Sequence, residues 1–278
     1  MSAPAADSPS LKTLEFSLKI QGARIDVSAQ LPDGPVGPAT VLPIIQNLSS
    51  TVATLTENES KRVGKPVSCG EGCGACCRQA VPIAPVEARV LADYIGAQPE
   101  ERREVLRGRF QAAAARLEEC GIAQELRLTA SQLTEDHSYL DKERAHSLGL
   151  RYFSLGIPCP FLEEERCTIH PIRPLRCREY LVVSPAEHCA HPQTEEVVVV
   201  KPTVLLSNTL RKWNAHGEPQ PGELIIITML EEWAAAHPAS EDHPRHTAPE
   251  LLRDFLGSFA DTSAVKSCSD IDASPTQS

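Results

Sequence analysis

Thiols are the groups with which this chain can do chemistry. Eight of its ten cysteines fall into two groups: Cys69, Cys73, Cys76 and Cys77, then Cys159, Cys167, Cys177 and Cys189. Thiolates held this close repel one another unless a cation or a covalent bond neutralises them. The stretch Met1–Asp7 has neither the basic start nor the apolar run of a secretory signal, so a cytoplasmic protein is expected. In that reducing compartment clustered cysteines are metal ligands or catalytic thiols more often than structural disulfides. The eight are therefore expected to ligate metal, with redox-active disulfides as the competing reading.

The first group runs Cys69-Gly-Glu-Gly-Cys73-Gly-Ala-Cys76-Cys77, at positions i, i+4, i+7 and i+8. A regular helix would put all four on one face. Gly70, Gly72 and Gly74 oppose one, so a glycine-rich loop running into a helix near Ala75 is expected. Such a loop can aim backbone N–H groups at sulfur and stabilise thiolates. Adjacent residues diverge, so Cys76 and Cys77 suit a polynuclear centre or two sites better than one tetrahedral zinc. The string Gly70 to Ala75 also fits the dinucleotide fingerprint G-x-G-x-x-A. No strand pattern precedes it and no βαβ unit surrounds it, so nucleotide binding is set aside.

The second group lies in Cys159-Pro-Phe-Leu-Glu-Glu-Glu-Arg-Cys167-Thr-Ile-His170-Pro-Ile-Arg173-Pro-Leu-Arg-Cys177-Arg178, with Cys189 further on. Cys159 and Cys167 bracket a short acidic turn and are expected at the two ends of a hairpin knuckle. Pro160, Pro171 and Pro174 stiffen the path, which lowers the entropy cost of gathering ligands. Arg173, Arg176 and Arg178 bring positive charge near the thiolates; the plainer role for each is an ion pair with Glu163 to Glu165. His170 is a further candidate ligand, since neutral imidazole binds zinc and iron. Cys120, which closes a helix, and Cys268, in the tail, are left out of the site.

Cys73-Gly-Ala-Cys76-Cys77, Pro82-Ile83, Cys159-Pro160-Phe161-Leu162, Cys167-Thr-Ile-His170, Arg173-Pro174 and Cys177-Arg178 together resemble the YkgJ-type cysteine-cluster family over about residues 65 to 190. The resemblance implies a zinc- or iron-chelating domain, often described as carrying an iron–sulfur cluster. One departure is the first gap: the family usually has two residues there, and three separate Cys69 from Cys73. Flagellin lysine methylases carry a related region, but no methyl-donor site is recognisable here.

The elements that must position these thiols read as mainly α. Leu14, Phe16, Leu18 and Ile20, then Ala23, Ile25, Val27, Ala29 and Leu31, alternate with polar residues and predict a small N-terminal β-hairpin. Leu42, Ile45, Leu48, Val52 and Leu55 predict an amphipathic helix. Further helices are expected from Pro85, over 99–119 with Val105, Leu106, Phe110 and Leu117 inward, over 140–154, and near 203–214, 223–236 and 248–259. An irregular cysteine-rich metal-binding core packed among helices completes the expected fold. The expected division is 1–64 (hairpin and helix), 65–192 (metal-binding domain), 193–260 (helical region) and 261–278 (disordered tail).

A net charge of −10 and 4% aromatic residues disfavour a nucleic-acid surface. No run reaches the roughly 18 apolar residues of a membrane span. Three functions follow from the thiols. The leading one is an iron–sulfur protein, most simply with a [4Fe–4S] cluster on four thiolates, in redox, sensing or accessory work with a redox or protein partner. The alternative is a structural zinc module that mediates protein interaction. The third is a thiol oxidoreductase cycling the adjacent cysteines. No convergent acid–base pair stands out, so no catalytic residue is assigned.

Overall fold

The structure, a computed structural model, describes residues 10–20, 22–70, 72–128, 142–213, 224–238 and 246–260. The tail from Asp261, with Cys268, lies outside them. The described chain is mostly helical, with an antiparallel strand pair at its start.

Alternation sets that first element. Strands Leu11–Ile20 and Ala23–Pro32 pair from Leu11 opposite Pro32 to Ile20 opposite Ala23. Leu14, Phe16, Leu18 and Ile20 bury one face. The other is polar, with Gln30 Nε2 donating to Thr13 Oγ1 at 2.7 Å. The buried face packs on helix Leu42–Arg62 through Leu42, Ile45, Leu48 and Val52. The same core takes in Leu206, Leu210 and Trp213, and Leu251, Leu252 and Phe255 of the helix Ala248–Ala260. The two ends of the described chain therefore share one apolar core.

Two further cores frame the cysteines. Helix Pro85–Gly96 starts at its proline, whose fixed φ suits a first helical turn. Helix Glu100–Glu119 buries Leu106, Phe110, Ala113 and Leu117, spaced four, three and four. Val105, expected inward, is 47% exposed because it is out of phase with that stripe. Phe161 inserts edge-on between Phe110 and Tyr94, with ring centroids 5.5 and 6.3 Å away, and Cys159 and Cys167 pack at the margin of this core. Helix Lys142–Ser154 buries Tyr152, whose hydroxyl donates to Thr228 Oγ1 at 3.1 Å. Gly156 then takes φ 64°, turning the chain toward Cys159.

The expected helix over 223–236 is shorter than its pattern. Ile225–Ile226 form a strand antiparallel to Pro82–Ile83, and helix begins only at Leu230. The run Ile225-Ile-Ile-Thr228 is β-branched throughout, which favours a pleated over a helical backbone. Val199–Val200 likewise pair with Leu181–Val182. Among the described residues no helix is long and apolar enough to cross a membrane.

Candidate metal centre

The first cysteine loop is held by backbone bonds from both sides. Ser68 N–H donates to the Val182 carbonyl at 2.8 Å, and the Val182 N–H donates to Cys69 Sγ at 3.4 Å. Gly72 takes φ 82°, the left-handed turn a side chain would resist. The 3₁₀ turn Ala75–Arg78 follows, where a helix was expected to begin. No strand precedes the loop: residues 65–70 have no regular structure.

A hairpin carries the second group. Leu162–Glu163 pair with Arg166–Cys167, and Glu164 and Glu165 form the turn with φ 47° and 59°. That is the two-residue turn with both central residues left-handed, which matches the strand twist. The expected knuckle is thus present. The Cys159 and Cys167 sulfurs accept backbone N–H bonds from Phe161 and Ile169, each two residues on. The Cys159 N–H donates to the Cys77 carbonyl at 2.7 Å, a direct link between the two groups.

The hairpin tip also closes on the first loop. Arg78 donates to both Glu165 carboxylate oxygens, at 2.9 and 2.6 Å, and to the Gly74 carbonyl at 3.0 Å. Gly74 must lack a side chain, since an added Cβ would lie 3.1 Å from Glu165 Cα and 3.0 Å from Leu162 Cδ1. Gly74→Ala is expected to cost about 1–3 kcal/mol, the usual penalty for overpacking. Urea unfolding and metal content of the variant check this, with both expected to fall; an unchanged midpoint would show that the tip is free to move.

Arg173, Arg176 and Arg178 do not pair with the glutamates of the hairpin. Glu163 binds Arg102 and Arg109, and Glu165 binds Arg78. Arg178 instead turns inward, donating to the Arg173 and Pro171 carbonyls at 2.9 and 2.6 Å and to Ser50 Oγ at 2.8 Å. Its five fixed donors bind a loop that has carbonyls to satisfy. The Arg173 Nε is buried without a hydrogen-bond partner among the described residues. Helix Leu175–Arg178 presents Cys177, and Glu87 caps it: Glu87 Oε1 accepts the Leu175 N–H at 2.7 Å while Oε2 accepts the Ala84 N–H at 2.9 Å. Sequence reasoning missed Glu87. Its place two residues after Pro85, at the third helical position, was the available sign.

The two cysteine groups lie close together, joined by the backbone bond from Cys159 to Cys77. Cys76 and Cys77 hydrogen-bond each other, which with burial pushes the Cys76 thiol far up. The charge of Cys76 is felt at Cys69, Cys159, Cys167, Cys177 and Cys189, and that of Cys73 at Cys69 and Cys189. Burial pushes Cys159 up to about 12 and Cys189 up to about 11, and holds Cys177 well above an ordinary thiol. Opposing this, the Arg173 charge favours the thiolates of Cys76 and Cys167. Cys69 is the exposed member and Cys189 the most buried, on the 3₁₀ turn Ala186–Ala190. His170 is exposed, at the start of the turn His170–Ile172. Cys120 closes helix Glu100–Glu119.

Among the described residues no three His, Cys, Asp or Glu side chains close on a single metal-sized point. The chemistry of the donor set nonetheless fits a metal. Free thiols crowd together in a half-buried pocket, three of their sulfurs accept backbone N–H bonds, and a buried guanidinium nitrogen beside them is unpartnered. Thiolate-rich sites of this kind bind zinc or iron–sulfur clusters.

Residues 68–201 match the family model CxxCxxCC, described as "Putative zinc- or iron-chelating domain". No curated protein and no solved structure matches the chain.

Proposed function

We propose that this domain holds an iron–sulfur centre, of the [4Fe–4S] type, on thiolates drawn from both cysteine groups, and that the protein works in redox, sensing or accessory chemistry in the cytoplasm with a redox or protein partner. The observation that carries the reading is the adjacent pair Cys76 and Cys77, hydrogen-bonded to each other, with the Cys159 N–H of the other group donating to the Cys77 carbonyl at 2.7 Å. Two adjacent thiols in one centre suit a polynuclear cluster better than one tetrahedral zinc. A cluster bound there supplies one-electron redox chemistry.

The residues around it have definite work. Val182, Phe161 and Ile169 offer N–H groups to sulfur, which lowers the electron density a thiolate must carry. Arg173 supplies a nearby positive charge, and Phe161 and Ile169 exclude water from one side. Structural zinc is the second reading, favoured by the paired turns Cys159–Phe161 and Cys167–Ile169, each of which presents a single well-oriented thiol.

Anaerobic purification followed by iron, zinc and acid-labile sulfide analysis separates the two. Iron with matching sulfide, and a broad visible absorption that bleaches on reduction, is expected. Stoichiometric zinc without sulfide would overturn the iron–sulfur reading.

A further inference from the structure

A cavity of about 330 Å³ opens directly over the thiols, with Cys76 and Cys177 in its wall. Its sides are apolar, formed by Leu126, Leu148 and Ile226 among others, and its polar groups are few: Gln79, Arg176 and Tyr180. A small apolar chamber with a few convergent polar groups is the usual form of a small-molecule site. We propose that this cavity binds a small monocarboxylate with an apolar body, the carboxylate against Arg176 and the body between Leu148 and Ile226, beside the metal centre. This inference stands alongside the metal reading and does not depend on which metal is bound.

Two independent observations support it. The first is the charge at the rim. Arg176 is exposed and makes no hydrogen bond or ion pair among the described residues. The carboxylate that feels its charge, Glu179, is already committed to the Ser207 N–H at 2.9 Å and to the Ser207 hydroxyl. Arg211 is close enough to feel the charge of Arg176 as well. In a chain of net charge −10, an unpaired guanidinium in the wall of an apolar cavity, with a second one near it, favours an anionic head group. Arg also matches carboxylate geometry with a planar fork of donors. Gln79 and Tyr180, hydrogen-bonded to each other, add polar atoms on the same wall.

The second observation is Gly149. It lies inside the helix Lys142–Ser154 and lines the cavity, and a Cβ added to it meets nothing within 4 Å. Glycine weakens a helix interior and is not required here for a turn or a positive φ. Its effect is to leave the space beside Leu148 open.

The protein as isolated, with its metal, is titrated calorimetrically with sodium octanoate and, separately, with octylammonium chloride, equal in length and opposite in charge. Octanoate is expected to saturate one site per chain and octylammonium to show no saturation. Arg176→Gln should weaken octanoate about tenfold, the loss of one hydrogen bond to a charged group. Gly149→Leu should abolish binding while thermal stability holds or rises. Failure of octanoate to saturate, equal binding of octylammonium, or unchanged octanoate binding in Gly149→Leu each overturns the proposal. Arg176 is exposed, so its variant still tests the head site if Gly149→Leu does not fold. Metal is counted on the same samples: full metal with no octanoate binding refutes the cavity alone, whereas absent metal counts against the metal centre.

Discussion

Cys76→Ser is expected to lose nearly all bound metal, more than any other single cysteine exchange. Cys76 lies near Cys69 of its own group and near Cys159, Cys167, Cys177 and Cys189 of the other. A ligand at that junction cannot be bypassed by using one cysteine group alone. Thiolate is the ligand form, and a serine hydroxyl does not ionise at neutral pH. The loss of affinity should exceed the roughly 10–100-fold cost of removing an outer hydrogen-bond partner. Because metal binding and folding are coupled, the thermal midpoint should fall with it. Cys120→Ser and Cys268→Ser are expected to keep wild-type metal, and metal per chain after anaerobic gel filtration checks all three. Wild-type metal content in Cys76→Ser would remove the first group from the site.

Glu87→Ala is expected to destabilise the protein by about 3 kcal/mol and to loosen Cys177. The carboxylate is fully buried in function as well as in place: it satisfies the first N–H groups of two helices, at Ala84 and Leu175. A buried donor left without a partner costs roughly 1–3 kcal/mol, and this exchange leaves two. Relief from burying a carboxylate offsets part of that sum. Burial pushes the Glu87 carboxyl up to about 7, against the pull of its two N–H donors and Arg178 and with the Glu179 charge adding to the rise. The folded state then holds a proton that the unfolded state, with an ordinary carboxyl near 4.5, has already released. Stability from this group is therefore full below pH 4.5 and is lost as pH rises through about 7. Glu87→Gln should remove that slope while keeping one acceptor. Urea midpoints of the three proteins between pH 5 and 8 test this, and parallel curves for wild type and Glu87→Gln would contradict it.

How much of this was legible in the chain depends on range. The hairpin was readable because alternation is local and its buried face, Leu14 to Ile20, needs only one partner surface. The knuckle was readable from two cysteines bracketing an acidic turn. Periodicity failed where two patterns coincide: Ile225 to Thr228 satisfied a helical count, but Ile225–Ile226 are a strand paired with Pro82–Ile83 and Ile227–Met229 a 3₁₀ turn. The arginine partners failed for a different reason. Nearness in sequence pointed Arg173, Arg176 and Arg178 at Glu163 to Glu165, whereas the fold brings Arg78, Arg102 and Arg109 there from other segments. The cysteine groups were visible, but their approach depends on bonds between residues far apart in the chain, such as Cys159 to Cys77 and Ser68 to Val182. No local pattern encodes those.

The most direct test of the central claim, that thiols of both cysteine groups hold the metal, is alkylation of the folded protein mapped by mass spectrometry before and after removal of metal by a chelator. The account predicts that cysteines of both groups, Cys76 among them, are protected in the loaded protein and become reactive together on stripping, while Cys120 and Cys268 react in both. A labelling pattern unchanged by stripping, or protection confined to one of the two groups, would contradict it.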